Sequence, residues 1–279
     1  MEVGDNMNLL KLESKKNLKG SIIWAVVLSG ILFLYLAFFP SMKDAGFSEL
    51  LEGKLDMLPA GFLETFGLTE IPDFSVFMEY YSYVFQFIII GLSIYGMVLG
   101  TKSLSSEEGD KTIEFLYAKP ITRTQIVISK MLSSIISILI VLISVILISI
   151  LSDLLFSDGS NIEMIINLNK IMIIPVLVYW AIGFLISSFL KSDSKSIVIS
   201  LSIFFGTYLL GIIAGTINDL EFLNYFSPIN YNTTSDVFKF LDGRDGVELN
   251  IVGLIISAII YLVSTLVTFF KYNKKDLMA

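Results

Sequence analysis

The chain has 279 residues, of which 54% are apolar, and its mean hydropathy is +0.78. No water-soluble domain of this length has an interior large enough for that apolar share, so an ordinary soluble fold is excluded. The formal net charge of −7 says little, but the absence of both Cys and His excludes disulfides, thiolate nucleophiles, Cys/His zinc sites, Ser-His-Asp triads and His-based proton relays.

Charge-free apolar runs fall at residues 20–42, 80–101, 131–152, 171–190, 196–218 and 249–270. At ~1.5 Å rise per residue each reaches ~30 Å, the thickness of the hydrocarbon core, and the runs lack the alternation of barrel strands. The first follows Lys11, Lys15, Lys16 and Lys19 as a signal peptide would, yet it is too long for an h-region and ends without a small-residue cleavage pattern. It is expected to remain as a span. The expected fold is an all-α membrane protein with six transmembrane helices in one domain over 1–279, with short amphipathic helices on both faces.

Placed with the N-terminus inside, the segments 1–19, 102–130, 191–195 and 271–279 hold 14 of the 19 Lys and Arg, which the positive-inside rule requires of cytoplasmic segments. The expected topology is therefore N-in/C-in. Residues 43–79, 153–170 and 219–248 become the outside loops. In the first of these, Phe47, Leu50, Leu51, Leu55 and Leu58, then Phe62, Leu63 and Phe66, recur at helical spacing, which predicts one or two interfacial helices broken near Pro59. Such a segment either packs as a lid on the helix ends or handles substrate.

The inside loop 102–130 is the most informative segment. Ile113, Leu116 and Tyr117 form an apolar face, Glu107 and Lys111 pair at i, i+4, and Pro120 ends the helix. Thr122 and Gln125 make a capping-box pattern that starts the third span at the membrane surface. The pattern fits a helix held between two spans as a docking element, and equally a solvated connector whose apolar face rests on headgroups. Glu107, Glu108, Asp110 and Glu114 sit within one short stretch with no partner from elsewhere, so no metal or acid/base site is expected. There is no G-x-x-x-x-G-K-[ST] motif; the stretch at Gly109 to Thr112 resembles only its end.

Within the six runs the polar residues are Gln86, tyrosines, serines and threonines, apart from a terminal Asn218 and Asn250. Ion-coupled pumps keep buried charge for their work, so an apolar or amphipathic cargo suits this wall better. Spans two and five share a glycine spacing, Gly91, Gly96, Gly100 and Gly206, Gly211, Gly215, each ending in G-x-x-x-G. These glycines permit close helix approach, either as ordinary packing or beside a pathway. Ser133, Ser137 and Ser144 read as helix-packing residues, and Pro175 either kinks span four or is tolerated there.

The series Glu108, Gly109, Glu114, Leu116, Pro120, Thr122, Arg123 and Lys130 resembles the signature of ABC type-2 exporter permeases. Similarity extends to Leu58-Pro59 through Phe66-Gly67, to the Lys-rich stretch before span one, and to the C-terminal stretch from Phe270 to Asp276. The chain departs from the pattern at Lys111 and Thr112, where the family often has Thr and Leu. The resemblance implies a permease subunit, itself without a nucleotide site, that pairs with a second copy or a paralogue and with separate P-loop ATPases. Those partners would hold ATP and Mg; this chain would bind no cofactor. It further implies that Glu107, Glu108, Gly109, Glu114, Leu116 and Pro120 belong to the ATPase-coupling loop, that Arg123 anchors its exit, and that Met7 to Lys19 forms an elbow helix along the inner leaflet. The expected location is the cytoplasmic (plasma) membrane, with lipid as surroundings and no nucleic acid among the partners. Two other classes remain open: a secondary transporter or channel, and a non-transporting sensor or scaffold.

Overall fold

A computed structural model describes residues 2–44, 72–109, 122–190 and 193–274. The anticipated helices over 45–71 and 110–121 lie outside the described residues. The elements in chain order are α1 (Glu2–Leu36), α2 (Phe39–Asp44), α3 (Phe77–Gly109), α4 (Arg123–Phe156), α5 (Ile162–Phe189), α6 (Asp193–Thr216), two 3-10 segments (Asn218–Phe226 and Pro228–Asn230), α7 (Thr234–Leu241) and α8 (Ile251–Lys274). There is no strand among the described residues. Helices α1, α3, α4, α5, α6 and α8 are each long and apolar enough to cross a membrane, so all six expected spans are present.

The helices outrun the apolar stretches that announced them. With 33 and 34 residues, α3 and α4 are ~50 Å long, well beyond the ~30 Å hydrocarbon core. Nothing stops them: no proline or paired glycine interrupts Glu79 to Glu108 or Arg123 to Asp153. The segment 153–170 is accordingly mostly helix, and the connection from α4 to α5 shrinks to residues 157–161. Helix α1 behaves the same way. The stretch from Met7 to Lys19 is not a separate element but continues into span one, because Gly20 is the only weak helix former between them.

The start of α1 and the end of α8 lie at one end of the bundle. There Lys16 Nζ donates to Ser106 Oγ at 3.0 Å, joining α1 to the last turns of α3, and Arg123 Nη1 donates to the Asn273 carbonyl at 3.0 Å, joining the start of α4 to the end of α8. This is called the terminal end below, and the opposite one the distal end. At the distal end Tyr80 Oη donates to the Tyr35 carbonyl at 2.7 Å, joining α3 to the last turn of the α1 helix.

Helices α3 and α5 form the centre, with 72% and 61% of their most apolar stretches buried, whereas the figures for α6 and α8 are 22% and 28%. Among the spans, α1 packs chiefly on α4, α8 on α5, and α6 on α3. The outer helices therefore show much of their apolar surface outwards, as lipid-facing helices do. The centre is aromatic: Tyr81, Phe85, Tyr179, Trp180 and Phe184 are fully buried, with Trp180 stacked on Phe184 at 5.1 Å.

Candidate functional site: the terminal end and the glycine seam

Glu107, Glu108 and Gly109 are the last residues of α3, so the helix that forms the core of the bundle runs unbroken into the expected coupling loop. Glu114, Leu116 and Pro120 lie outside the described residues. The loop closes on Thr122, whose hydroxyl accepts from the Gln125 amide at 3.3 Å while Gln125 Oε1 accepts from the Thr122 amide at 2.8 Å. This reciprocal box satisfies two orphan donors and fixes where α4 begins. One residue later Arg123 reaches the Asn273 carbonyl, one of the last four of α8 that have no intrahelical partner. A cation suits that negative helix end.

Two charges that border the apolar runs are inside the protein. The charge-free run 131–152 stops one residue short of Lys130 and of Asp153, and both are buried within α4. Lys130 Nζ meets Glu13 Oε1 at 3.0 Å, with only 1% of the Lys130 side chain exposed and 12% of Glu13. A lone ammonium there would be costly, and the carboxylate from α1 compensates it. Asp153 does a different job: its two oxygens accept from Asn161 Nδ2 at 2.8 Å and the Asn161 amide at 3.0 Å, closing the turn into α5.

The glycines of spans two and five do not have equivalent roles. A Cβ on Gly100 would lie 2.8 Å from Phe184 N and closer still to the Trp180 carbonyl, and one on Gly96 would lie 3.0 Å from the Val176 carbonyl. Across the seam, a Cβ on Gly183 would lie 2.9 Å from Thr101 Oγ1 and closer to the Met97 carbonyl. Two helix backbones thus touch directly between α3 and α5. Gly91 faces the end of the Leu28 side chain. In α6, Gly211 lies against Ser227, between the 3-10 segments, and Asn230 in the second of them, Gly206 has nothing within 4 Å, and Gly215 is exposed. Gly183 stands outside the glycine spacing of spans two and five, and its mark in the sequence is the small-x-x-x-small pair it makes with Ser187.

Gln86 is a tether. Its Oε1 accepts from the Thr234 amide and hydroxyl, both at 3.0 Å, while the same hydroxyl lies 2.6 Å from the Ser82 carbonyl. These bonds pin the start of α7 to the second and third turns of α3. Helix α7 has its own capping box, Thr233 with Asp236, and Arg244 just beyond it pairs with Glu79 and, at 3.0 Å, with Asp242. The Glu79 hydrogen bond holds the Arg244 guanidinium above its ordinary pKa, and burial pushes the Tyr231 phenol up to about 12. Ser133 and Ser144 pair across the α1–α4 seam with Asn17 and Ser29, each at 3.0 Å. Ser137 is buried in α4. Pro175 is buried inside α5, which continues through it.

The model of the family described as ABC-2 family transporter protein matches residues 7–277. The chain belongs to the ABC-2 transporter family. A comparison with curated proteins found no match. As an ABC-2 permease with six apolar helices, it is a multi-pass integral membrane protein and a component of membrane transport. The match starts at Met7, inside the stretch of α1 that precedes span one, and ends past α8, so all six spans lie within the ABC-2 region. No group of three or more Asp and Glu able to hold a metal occurs among the described residues.

Proposed function

We propose that this ABC-2 permease is the membrane-spanning subunit of an ATP-driven exporter. It works as a dimer with a second copy or a paralogue, and separately encoded P-loop ATPases bind ATP and Mg and dock on residues 107–123. The single observation that carries this reading is the ABC-2 match over 7–277. In the proposed orientation the terminal end faces the cytoplasm, in agreement with its share of Lys and Arg, and the protein resides in the cytoplasmic (plasma) membrane. Closure of the ATPases on ATP pulls the coupling segment, and the two helices that bracket it carry the displacement inwards. Helix α3 enters the segment without a break, and α4 leaves it through a fixed cap tied to α8 by Arg123. The pathway would alternate between inward-open and outward-open states and carry an apolar or amphipathic cargo.

The test is purification in mild detergent from the native host, identification of co-purifying proteins, and ATP hydrolysis with and without Glu114→Arg. A P-loop ATPase that co-purifies and is lost or slowed in the variant supports coupling through this segment. Recovery of the permease without any ATPase under several mild extractions, or an unaltered variant, refutes it.

A further inference from the structure

A small cavity lies where α5, α8 and the end of the second 3-10 segment meet, and its wall includes Ile171, Met172, Pro175, Asn232, Leu254 and Ser257. Its volume is about 10 Å³, room for one water molecule and for nothing larger. The gap is not general looseness. One turn away on α8 the same two elements are in tight contact, since a Cβ on Gly253 would lie 2.5 Å from Tyr231 Cβ.

Pro175 accounts for a polar site at this point. It has no amide hydrogen, so the Ile171 carbonyl lacks the donor, four residues on, that carbonyls inside a helix otherwise have. A proline within a span is tolerated where a neighbouring side chain or an ordered water supplies that donor. Across the cavity, two side chains have bonding capacity left over. Ser257 is 3% exposed and its hydroxyl has no hydrogen-bond partner among the described residues, whereas Thr265 and Thr268 bond back to carbonyls of the same helix. Asn232 commits its Oδ1 to the Asn250 amide at 2.7 Å, but its Nδ2 reaches the Asn250 carbonyl only at 3.5 Å, so at least one of its two N–H donors remains. Residues carrying a carbonyl short of its donor, an unpartnered hydroxyl and a spare amide N–H thus border one water-sized space. Left empty, that space would leave all three groups unpaired.

We propose that the cavity binds one ordered water, which donates to the Ile171 carbonyl, accepts from Asn232 Nδ2 and shares its third bond with the Ser257 hydroxyl. Three partners are the usual complement of a buried water. The water ties the proline turn of α5 to α8 and to the segment that leads into α7. Gln86 holds that segment from the side of α3, and the water holds it from the side of α5. The proposal depends neither on the orientation nor on the ATPase partnership.

Met172, in the cavity wall and 1% exposed, is the reporter. X-ray pulses on the full chain in detergent micelles convert water to hydroxyl radicals, which oxidise a methionine sulfur beside which they form; digestion and mass spectrometry give the rate at each methionine. Met97, fully buried in α3 and not part of this cavity wall, is the reference. Met172 should be oxidised severalfold faster than Met97. Ser257→Val fills the space and should bring Met172 down to the rate of Met97. Ser257→Ala combined with Pro175→Ala adds no volume, removes the hydroxyl and gives the Ile171 carbonyl its amide donor, and it should also slow Met172. An unchanged Met97 rate shows that the bundle of each variant is folded; if Ser257→Val raises it, the double variant is read in its place. Met172 oxidised no faster than Met97 in the wild-type chain would overturn the water site whatever the variants do, and so would a Met172 rate left unchanged in the folded variants.

Discussion

The seam between α3 and α5 can be tested with two methyl groups. Gly100→Ala places a carbon 2.8 Å from Phe184 N, where ordinary contact starts at 3.4 Å, so the helices must part by at least about 0.6 Å. The obstacle is main chain, which cannot rotate away as a side-chain tip can. A gap of ~0.5–1 Å forfeits a quarter to a half of each dispersion contact along the seam, including those of Val176, Trp180 and Phe184. Overpacking of this kind costs about 1–3 kcal/mol, and Gly183→Ala, which meets the Met97 carbonyl and Thr101 from the other side, should cost a similar amount. Once one methyl has parted the helices, the second finds space already made, so the double variant should cost less than the sum of the two. Gly30 and Gly206 have nothing within 4 Å and serve as controls, with Gly→Ala neutral or slightly stabilising through helix propensity. The assay is reversible unfolding of the purified chain in mixed micelles, followed by Trp fluorescence. Gly100→Ala no worse than Gly206→Ala, or strict additivity of Gly100→Ala with Gly183→Ala, would refute a backbone-to-backbone seam.

Three further outcomes are expected. Glu13→Gln leaves the Lys130 ammonium without its carboxylate and should cost about 2–3 kcal/mol, below the ~3–5 kcal/mol of a broken, fully buried pair because other groups also touch Lys130; unfolding in the same micelles checks this, and Lys130→Met should relieve part of the loss. Thr122→Ala opens the capping box and should cost about 1 kcal/mol, with faster hydrogen exchange at the first amides of α4, while Thr122→Ser should be close to wild type. Gln86→Leu leaves the buried Thr234 amide without its acceptor and should cost about 1–3 kcal/mol, read as faster exchange across residues 233–238 while α3 itself stays protected.

The six spans were legible because an uncharged apolar run of bilayer length has few alternative fates. The Thr122–Gln125 box was legible for a related reason: both partners lie within one turn, so local spacing determines the contact. What spacing could not show is what stands opposite. The glycine patterns of spans two and five look alike in the sequence, yet Gly96 and Gly100 meet another backbone, while Gly206 meets nothing and Gly211 meets Ser227 and Asn230. Period identifies which residues share a helix face, and it is silent about the neighbour. The Glu13–Lys130 pair joins residues 117 apart, and Gln86 reaches Thr234 across 148 positions, so neither leaves a local signature. The elbow expected before span one failed for a physical reason too: nothing at Lys19-Gly20 is strong enough to break a helix that α4 supports on both sides of that point, through Glu13, Asn17 and Ser29.

The Gln86 tether changes which parts of the molecule can move together. By chain connectivity, α7 belongs with α6 and α8, the two least buried helices. By its bonds it belongs to α3. Between Gly109 and Gln86 the chain is one uninterrupted helix of about six turns, and the glycines along it are wedged against α5 and α1 instead of forming a joint. Helix α3 is thus a push-rod with a latch partway along. A shift applied at its terminal end arrives at Thr234 without passing through a hinge and takes with it α6, which packs on α3 and is bonded to it through Thr101 and Ser200, whereas α8 packs chiefly on α5.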